Sequence, residues 1–446
     1  MTESARHPVD ELLPKGQLFA YGLQHVLAMY AGAVAVPLII ANALGLTKDQ
    51  LIFLINADLF TCGIATLIQT IGLGNMGIRI PIIQGVTFAA VTPMIVIGQT
   101  HGMTAIYGSI IVAGIITYFI SPYFSRLIRF FPPVVTGSVI TIIGITLMPV
   151  AVNWSAGGNP AAGDYASLGN IGLAFAVLLL VLIFYRFFTG FLSNIAVLMG
   201  LILGTLVAMP LGLVNFAKVS EAAWLGITTP FWFGFPTFDP ASIVAMVLVM
   251  LVTMTETTGD CIAVGEIIDR PVNQDDLTRG LRADGFSTAL GGILNSFPYT
   301  AFAQNVGLVG LTRVKSRWVV AAAGAILVVL GLFPKLAAIV AAIPSPVLGG
   351  AGIAMFGTVA ASGIRTLSRV NFDGGNNIMV VGISIGVGMI TMASPSFYHG
   401  LPDWLQVILH SGITAGSLCA VVLNLCLNGA PAEPASAAGA AASGPR

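Results

Sequence analysis

Glu256 and Asp260 stand one helical turn apart in VTMTETTGD, inside a long apolar run. That spacing puts both carboxylates on one face of a helix. Carboxylates so close repel, and burial adds a desolvation cost, so one of the pair is expected to carry a proton. Gln304 and Asn305 stand side by side in AFAQNVGLVGLTR. Each amide offers a carbonyl acceptor and an NH2 donor. An amide together with a carboxylate matches the edge of a planar heterocycle with alternating C=O and N–H groups. An aromatic ring such as Phe88 can cover that heterocycle's face.

Three more ionisable side chains fall within apolar runs: His25 in YGLQHVLAMYAG, Asp58, and Asp284 in LRADGFST. A charge at a membrane-helix centre costs roughly 2.5–3.5 kcal/mol on insertion scales, which makes function the default reading. His25 is expected to be a hydrogen-bonding brace and Asp58 to be structural. Asp260 is either a functional contact or a brace for a neighbouring helix. Asp284 is either a surface carboxylate paired with Arg279 or Arg282, or a buried proton or network site.

The elements that carry these residues must cross a bilayer. The 446-residue chain is 56% hydrophobic and 8% charged, with a mean hydropathy of +0.94. A soluble domain is about 25% charged, so lipid has to be this chain's solvent. Fourteen apolar runs are predicted as spans, at 17–43, 51–72, 78–98, 103–122, 133–151, 169–186, 191–213, 241–267, 280–294, 296–312, 316–334, 337–363, 374–393 and 404–428. The third and tenth are short and rich in Pro, Gly and Gln. With the N-terminus in the cytoplasm, Arg6, Lys15, Arg79, Arg126, Arg129, Arg186, Arg270, Arg279, Arg282, Arg313, Lys315, Arg317, Arg365, Arg369 and Arg446 lie inside. Only Lys48, Lys218 and Lys335 lie outside. That split of fifteen to three satisfies the positive-inside rule. Dropping the third or tenth run would invert every later loop and spoil it.

The chain is expected to divide into a cytoplasmic tail (1–16), a first seven-span half (17–213), an outer connecting loop (214–240), a second half (241–428) and a disordered cytoplasmic tail (429–446). The first 16 residues lack the order of a cleaved signal peptide. All four cysteines (Cys62, Cys261, Cys419, Cys426) fall in apolar runs and are read as small buried hydrophobes, not as metal ligands or disulfides.

Two segments echo each other across the halves. PPVVTGSVITIIGITL (132–147) resembles SPVLGGAGIAMFGTV (345–359), with Pro133 aligned to Pro346, an offset of 213. IPIIQGVTFAAV (80–91) and FPYTAFAQNVGLVGL (297–311) echo at an offset of about 220. Seven spans separate the partners, an odd number, so the halves would have opposite orientation. Inverted repeats with corresponding broken segments point to a secondary transporter with its site near the midplane. Extended backbone at 80–91 and 297–311 must be paired or buried in protein, because lipid supplies no hydrogen bonds. Pairing with each other would satisfy both.

QNVGLVGLTR (304–313) resembles the signature of the nucleobase–ascorbate transporter family (nucleobase:cation symporter-2): Gln or Glu, Asn, any residue, Gly, four residues, Thr, then Arg, Lys or Gly. Gln304, Asn305, Gly307, Thr312 and Arg313 all fit it. QH (Gln24, His25), ETTGD (256–260), ADG (283–285) and IQGVTF (83–88) fit the family as well. The resemblance, closest to bacterial xanthine/uric acid permeases, covers about 15–430.

It implies an all-α polytopic membrane protein of fourteen transmembrane segments in two inverted seven-span repeats. These form core and gate domains, pair as a homodimer, and carry short antiparallel strands in spans 3 and 10. Glu256 and Gln304 would hydrogen-bond the base, Phe88 would stack on it, and backbone near Ala303 would add contacts. Asn305 and His25 would shape the site, and Asp284 would serve proton coupling. Thr87 stands where xanthine-restricted members tend to carry Asn, which tilts the expected substrate toward uric acid, with xanthine second. The expected activity is proton-coupled purine import at the inner membrane, with H+ as the coupling ion, no cofactor and no nucleic-acid partner. A uracil or broader nucleobase permease and a passive facilitator of the same fold are the alternatives. No HExxH or GxSxG motif and no metal-ligand cluster in the spans argues for an enzyme.

Overall fold

In chain order the helices and strands are α1 (Lys15–Ala43), α2 (Lys48–Ile71), β1 (Gln84–Val86), α3 (Val91–His101), α4 (Met103–Ile120), α5 (Pro133–Ser155), α6 (Leu168–Phe187), α7 (Phe191–Asn194), α8 (Ala196–Ala208), α9 (Ala217–Glu221), α10 (Pro240–Ile267), α11 (Gln274–Ile293), β2 (Tyr299–Ala301), α12 (Ala303–Thr312), α13 (Arg317–Leu330), α14 (Pro334–Ala341), α15 (Ser345–Leu367), α16 (Asn376–Ala393), α17 (Asp403–Leu409) and α18 (Gly412–Asn428). They are seen in a computed structural model that describes residues 7–124 and 130–429. Arg6, Arg126, Arg129, Arg446 and the tail from 430 lie outside the described residues.

Among the described residues eight helices are long and apolar enough to cross a bilayer: α1, α2, α4, α5, α6, α10, α15 and α16. The pair α13 and α14, bent by 83° at its break, adds a ninth candidate. The apolar run at 337–363 is not one helix. It ends α14 at Ala341 and starts α15 at Ser345, because Pro344 and Pro346 favour a helix start and not its continuation. The run at 280–294 belongs to α11, whose first turns are polar and begin at Gln274. The weak runs at 78–98 and 296–312 each hold a strand followed by a short helix.

Local signals set the helix starts. Thr47 and Gln50 form a reciprocal capping box on α2 (Gln50 N to Thr47 Oγ1, 3.3 Å; Thr47 N to Gln50 Oε1, 2.8 Å). Asn273 and Asp276 do the same for α11. Asp239 caps α10 by accepting from Ser242 N at 2.7 Å, with Pro240 in the first turn.

Lipid gives helices no hydrophobic reason to meet, so they associate through close packing at small residues. The most extensive pair is α5 with α15, the two Pro-initiated helices of the echo, each 23 residues long. They run antiparallel: a methyl on Gly144 would strike Ala360, one on Gly363 would strike Thr141, and one on Gly349 would strike Ser155. Other pairings come in reciprocal sets. α2 packs on α13 as α4 packs on α11, and α1 on α13 as α10 on α4. α15 packs on α6 and α8 as α5 packs on α16 and α18.

Charged contacts sort to two ends. Lys218 pairs with Asp49 (3.1 Å), and Lys335 Nζ donates to Val219 O (3.0 Å). Asp49 is at the start of α2; at the other end of that helix Arg317 donates to Thr70 O (2.7 Å) and pairs with Asp10 (2.6 Å), while Arg270 donates to Arg79 O (3.1 Å) and Lys315 pairs with Asp269. The N-terminal segment is more than a polar tail. Pro8–Asp10 forms a 3-10 turn in which Val9 is fully buried. Of the cysteines, Cys62 and Cys261 are buried, whereas Cys426 is exposed, against the expectation of burial; all four are free thiols.

Candidate binding site at the paired strands

The strands pair with each other. Gln84 faces Ala301, Gly85 faces Thr300 and Val86 faces Tyr299 in antiparallel register. Thr87 N–H donates to Pro298 O (2.9 Å) and Phe302 N–H to Ile83 O (3.1 Å), extending the ladder at each end. The extended backbone is therefore satisfied inside the protein, as the bilayer requires. Gly85 and Gly32 are needed because the Phe302 ring lies against both; a methyl on either would collide with it.

Neighbouring helices fix the strands through buried hydroxyl, thiol and carboxyl groups. From α2, Thr66 Oγ1 accepts from Gln84 N (3.0 Å), and Cys62 Sγ donates to Gln84 O (2.7 Å). From α10, Thr257 Oγ1 accepts from Ala301 N (3.1 Å) and lies 3.1 Å from Thr300 Oγ1. From α11, Thr288 Oγ1 accepts from Tyr299 N (3.1 Å). Asp58 closes the set: its Oδ1 accepts from Ser296 Oγ (3.0 Å) and Tyr299 Oη (3.2 Å). The structural reading of Asp58 fits this bracing.

Both strands lead into helix starts. Thr87 Oγ1 accepts from Ala89 N (3.1 Å) and turns the chain through Phe88–Ala90 into α3. Phe302 leads directly into α12. α10 packs against β2, α12 and the Phe88–Ala90 turn, so the elements bearing Glu256, Gln304 and Phe88 converge. Glu256 is half-buried, while Ala303, Gln304 and Gly307 line the exposed face of α12. Phe88 sits edge-on to Phe356 of α15, with ring centroids 5.9 Å apart. Thr87 is buried at the strand end.

Asn305 points the other way from Gln304. It is buried, and its NH2 donates to His25 Nδ1 (3.1 Å) and His25 O (2.9 Å). His25 and Asn305 therefore brace α1 against α12. Asp284 is fully buried, which removes its reading as a surface carboxylate. Its Oδ1 accepts from Gln69 Nε2 (3.1 Å), and the Thr257 and Gln84 side chains lie beside it. Its Oδ2 and both amide atoms of Gln84 close no well-formed hydrogen bond within the protein. Arg282 instead lies over the Tyr118 ring at 5.6 Å. Asp260 is within electrostatic reach of Glu256, Asp284 and Arg365.

Gln69 is the residue that sequence reasoning missed. It donates also to Gly280 O (3.1 Å) and accepts from Ile78 N (3.1 Å), tying Asp284 to the lead-in of β1. A signal was present: Asp58, Cys62, Thr66 and Gln69 recur at helical spacing on one face of α2. Each of the four is buried and reaches a strand, a strand flank or Asp284.

Residues 16–397 match the model of a Permease family. The uric acid transporter UacT of Escherichia coli (strain K12) is 50% identical over 427 residues, covering 94% of this chain and 88% of that protein. A xanthine permease of Bacillus subtilis (strain 168) is 49% identical over 413 residues, covering 93% and 94%. Among solved structures, the transmembrane domain of a cyanobacterial bicarbonate transporter, BicA, superposes with a TM-score of 0.60 at 14% identity, covering 92% of this chain and 97% of that one. The murine anion transporter Slc26a9, in its inward-facing state, gives 0.57 at 10% identity, covering 94% and 69%. At such low identity the last two speak to the fold alone.

Proposed function

The chain belongs to this Permease family, the nucleobase–ascorbate transporters that its signature resembles, and from that premise we propose that it carries purine bases, uric acid and xanthine first, across the membrane by alternating access. The observation that best supports this reading is the convergence on one strand pair of a half-buried carboxylate, an outward-facing amide and an aromatic ring. Glu256 and Gln304 hydrogen-bond the edge of the base, Phe88 stacks on its face, and backbone at Ala303 adds contacts. Thr87 lines the site and bears on which purine is accepted. Asn305 and His25 hold α12 in place without touching the base.

The transported base is accompanied by a proton. Asp284 is the candidate carrier, with Glu256 and Asp260 in the same network. Proton uptake and base binding together favour movement of a core (α1–α4 and α10–α13) against a gate (α5–α8 and α15–α18). The reciprocal helix pairings support reading the two as products of an inverted seven-span repeat with fourteen crossings. The sorting of Lys218 and Lys335 away from Arg270, Lys315 and Arg317 supports a cytoplasmic face on the side of the latter three, and with it cytoplasmic termini; the membrane is the inner one. The working unit is a homodimer.

Uptake of radiolabelled uric acid and xanthine into cells, with and without a protonophore, tests the reading. Glu256→Gln is expected to abolish accumulation. Gln304→Ala is expected to raise KM about 10- to 100-fold, the effect of removing hydrogen bonds that a ligand edge requires. If uptake survives both substitutions and ignores the protonophore, the coupled mechanism is wrong and a passive facilitator takes its place. Competition by uracil as strong as that by xanthine would widen the substrate class.

A further inference from the structure

The turn at Pro8–Asp10 precedes the first long helix and lies in a stretch whose sequence is polar and mixed in charge. One apolar residue in it, Val9, is completely buried. It belongs to a small apolar cluster separate from the main core, made with Ile78, Ile80 and Ile82 before β1, Ala301 of β2, and Val309 of α12, together with Cys261 and Val264 of α10 and Ile268 just after it. Val9 therefore enters a cluster shared by both broken segments and by the helix that carries Glu256.

Polar contacts hold the turn there. His7 Nδ1 accepts from Val9 N (3.3 Å) and caps it. Asp10 pairs with Arg317 at 2.6 Å, and Ser316 Oγ donates to Glu11 O at 2.6 Å. The same Arg317 donates to Thr70 O (2.7 Å) and Ile71 O (3.3 Å), satisfying the last carbonyls of α2. The turn is thereby fastened to the linker that follows α12 and to the end of the helix that holds β1.

α12 needs such support. It has ten residues, includes Gly307 and Gly310, starts at Phe302 without a side-chain cap, and exposes Ala303, Gln304 and Gly307 along one face. A helix that short and glycine-containing is marginal alone. Its position depends on what its buried face rests on. Asn305 holds its first turn through His25, and Val309 holds its last turns in the cluster that Val9 fills.

We propose that Pro8–Glu11 is a wedge that sets the position of α12, and that Val9 is a positioning residue for base recognition by Gln304, reached through Val309. The proposal rests on the purine-transport reading for its ligand, but not for its mechanics. Filling the cluster fixes the far end of α12, and emptying it frees the helix to shift along its exposed face. The base then meets Gln304 in a range of positions.

The test compares wild type with Val9→Ala, Val9→Asp and Val9→Ile in the full chain. Radiolabelled xanthine uptake and competition by uric acid give KM and selectivity, with membrane amount measured in parallel. Val9→Asp is expected to raise KM about tenfold or more, Val9→Ala about threefold, and Val9→Ile to behave as wild type. If Val9→Asp does not accumulate in the membrane, Val9→Ala decides. An unchanged KM and unchanged selectivity in the accumulating variants overturn the proposal, even if maximal uptake falls, because the wedge would then serve assembly only. Hydrogen exchange on purified protein gives a readout that needs no substrate. Amides of 303–312 are expected to exchange faster in Val9→Ala than in wild type, while those of 91–101 stay unchanged. Equal exchange in both proteins overturns the proposal. A wild type that moves no purine but shows the exchange difference would sink the transport reading and leave the wedge standing.

Discussion

The first broken segment is buried from Pro81 through Val91, strand and turn alike, whereas the second turns Ala303, Gln304 and Gly307 outward directly after its strand. Both were legible as Pro- and Gly-interrupted runs, and both give up helix for three residues of strand. They differ beyond the strand. After β1 the chain needs a Thr87-capped turn before α3 begins, which sets Phe88 against Phe356 of α15. After β2 the helix starts at once, and its first two residues are already exposed. On the proposed function, the first segment would present a ring face and the second would read an edge. The difference in burial fits those roles, since a stacking ring needs no donor or acceptor and a reading amide must stay reachable.

The largest effects should separate the two buried carboxylates that flank this pair. Asp284 has one oxygen held by Gln69 and one that closes no well-formed bond. Asp58 too has one oxygen without a well-formed bond, but its other oxygen accepts from two hydroxyls, Ser296 and Tyr299. If Asp284 is the proton carrier, Asp284→Asn is expected to lower xanthine uptake at least about 100-fold with the protein still present in the membrane, since an amide cannot take up a proton there. Asp58→Asn keeps an acceptor oxygen for both hydroxyls and is expected to retain uptake. Equal losses in the two variants would mean that Asp58 also takes part in transport.

How far sequence reached can be traced along these same residues. Glu256, Asp284 and Gln304 stood out because ionisable and amide groups are expensive in apolar runs. The pairing of 80–91 with 297–311 followed from the need to satisfy extended backbone in lipid. Gln69 did not stand out, because the spacing it shares with Asp58, Cys62 and Thr66 marks only a polar face of α2, and its partner Asp284 lies 215 residues away. Asn305 looked equivalent to Gln304 as a sequence neighbour. Successive helix residues point about 100° apart, and that alone sends one to His25 and leaves the other exposed. Val9 was hidden for another reason: in HPVDELL nothing in the sequence distinguishes it, which is buried, from Leu12, which is exposed.

Intermediate effects should come from the groups that hold the strands. Thr66→Val leaves Gln84 N–H without its hydroxyl acceptor, and Thr257→Val does the same to Ala301 N–H. Each is expected to cost about 1–3 kcal/mol, the penalty of a buried unpaired donor, read as a lower melting temperature in detergent. The comparison is sharpened by where uptake is lost. Thr257 neighbours Glu256 and holds the reading segment, so its variant should raise KM more than the Thr66 variant does. The opposite order would make the first segment the more sensitive part of the site.

The smallest effect on stability should come from Gly307, and it isolates recognition from folding. A methyl added there meets no atom within 4 Å, in contrast to Gly144, where it would strike Ala360 across the α5–α15 contact. Replacing a helical glycine by alanine stabilises by up to about 1 kcal/mol when space allows. Gly307→Ala should therefore melt at or slightly above the wild-type temperature, and Gly144→Ala well below it. Gly307 lies on the exposed face of α12, about one turn beyond Gln304. If the space beside it is where the base approaches, the same methyl that spares stability should raise KM for xanthine. A variant that is as stable as wild type and binds as well would show that the exposed face of α12 past Gln304 is open for some reason other than the ligand, and would confine the site to the strand ends.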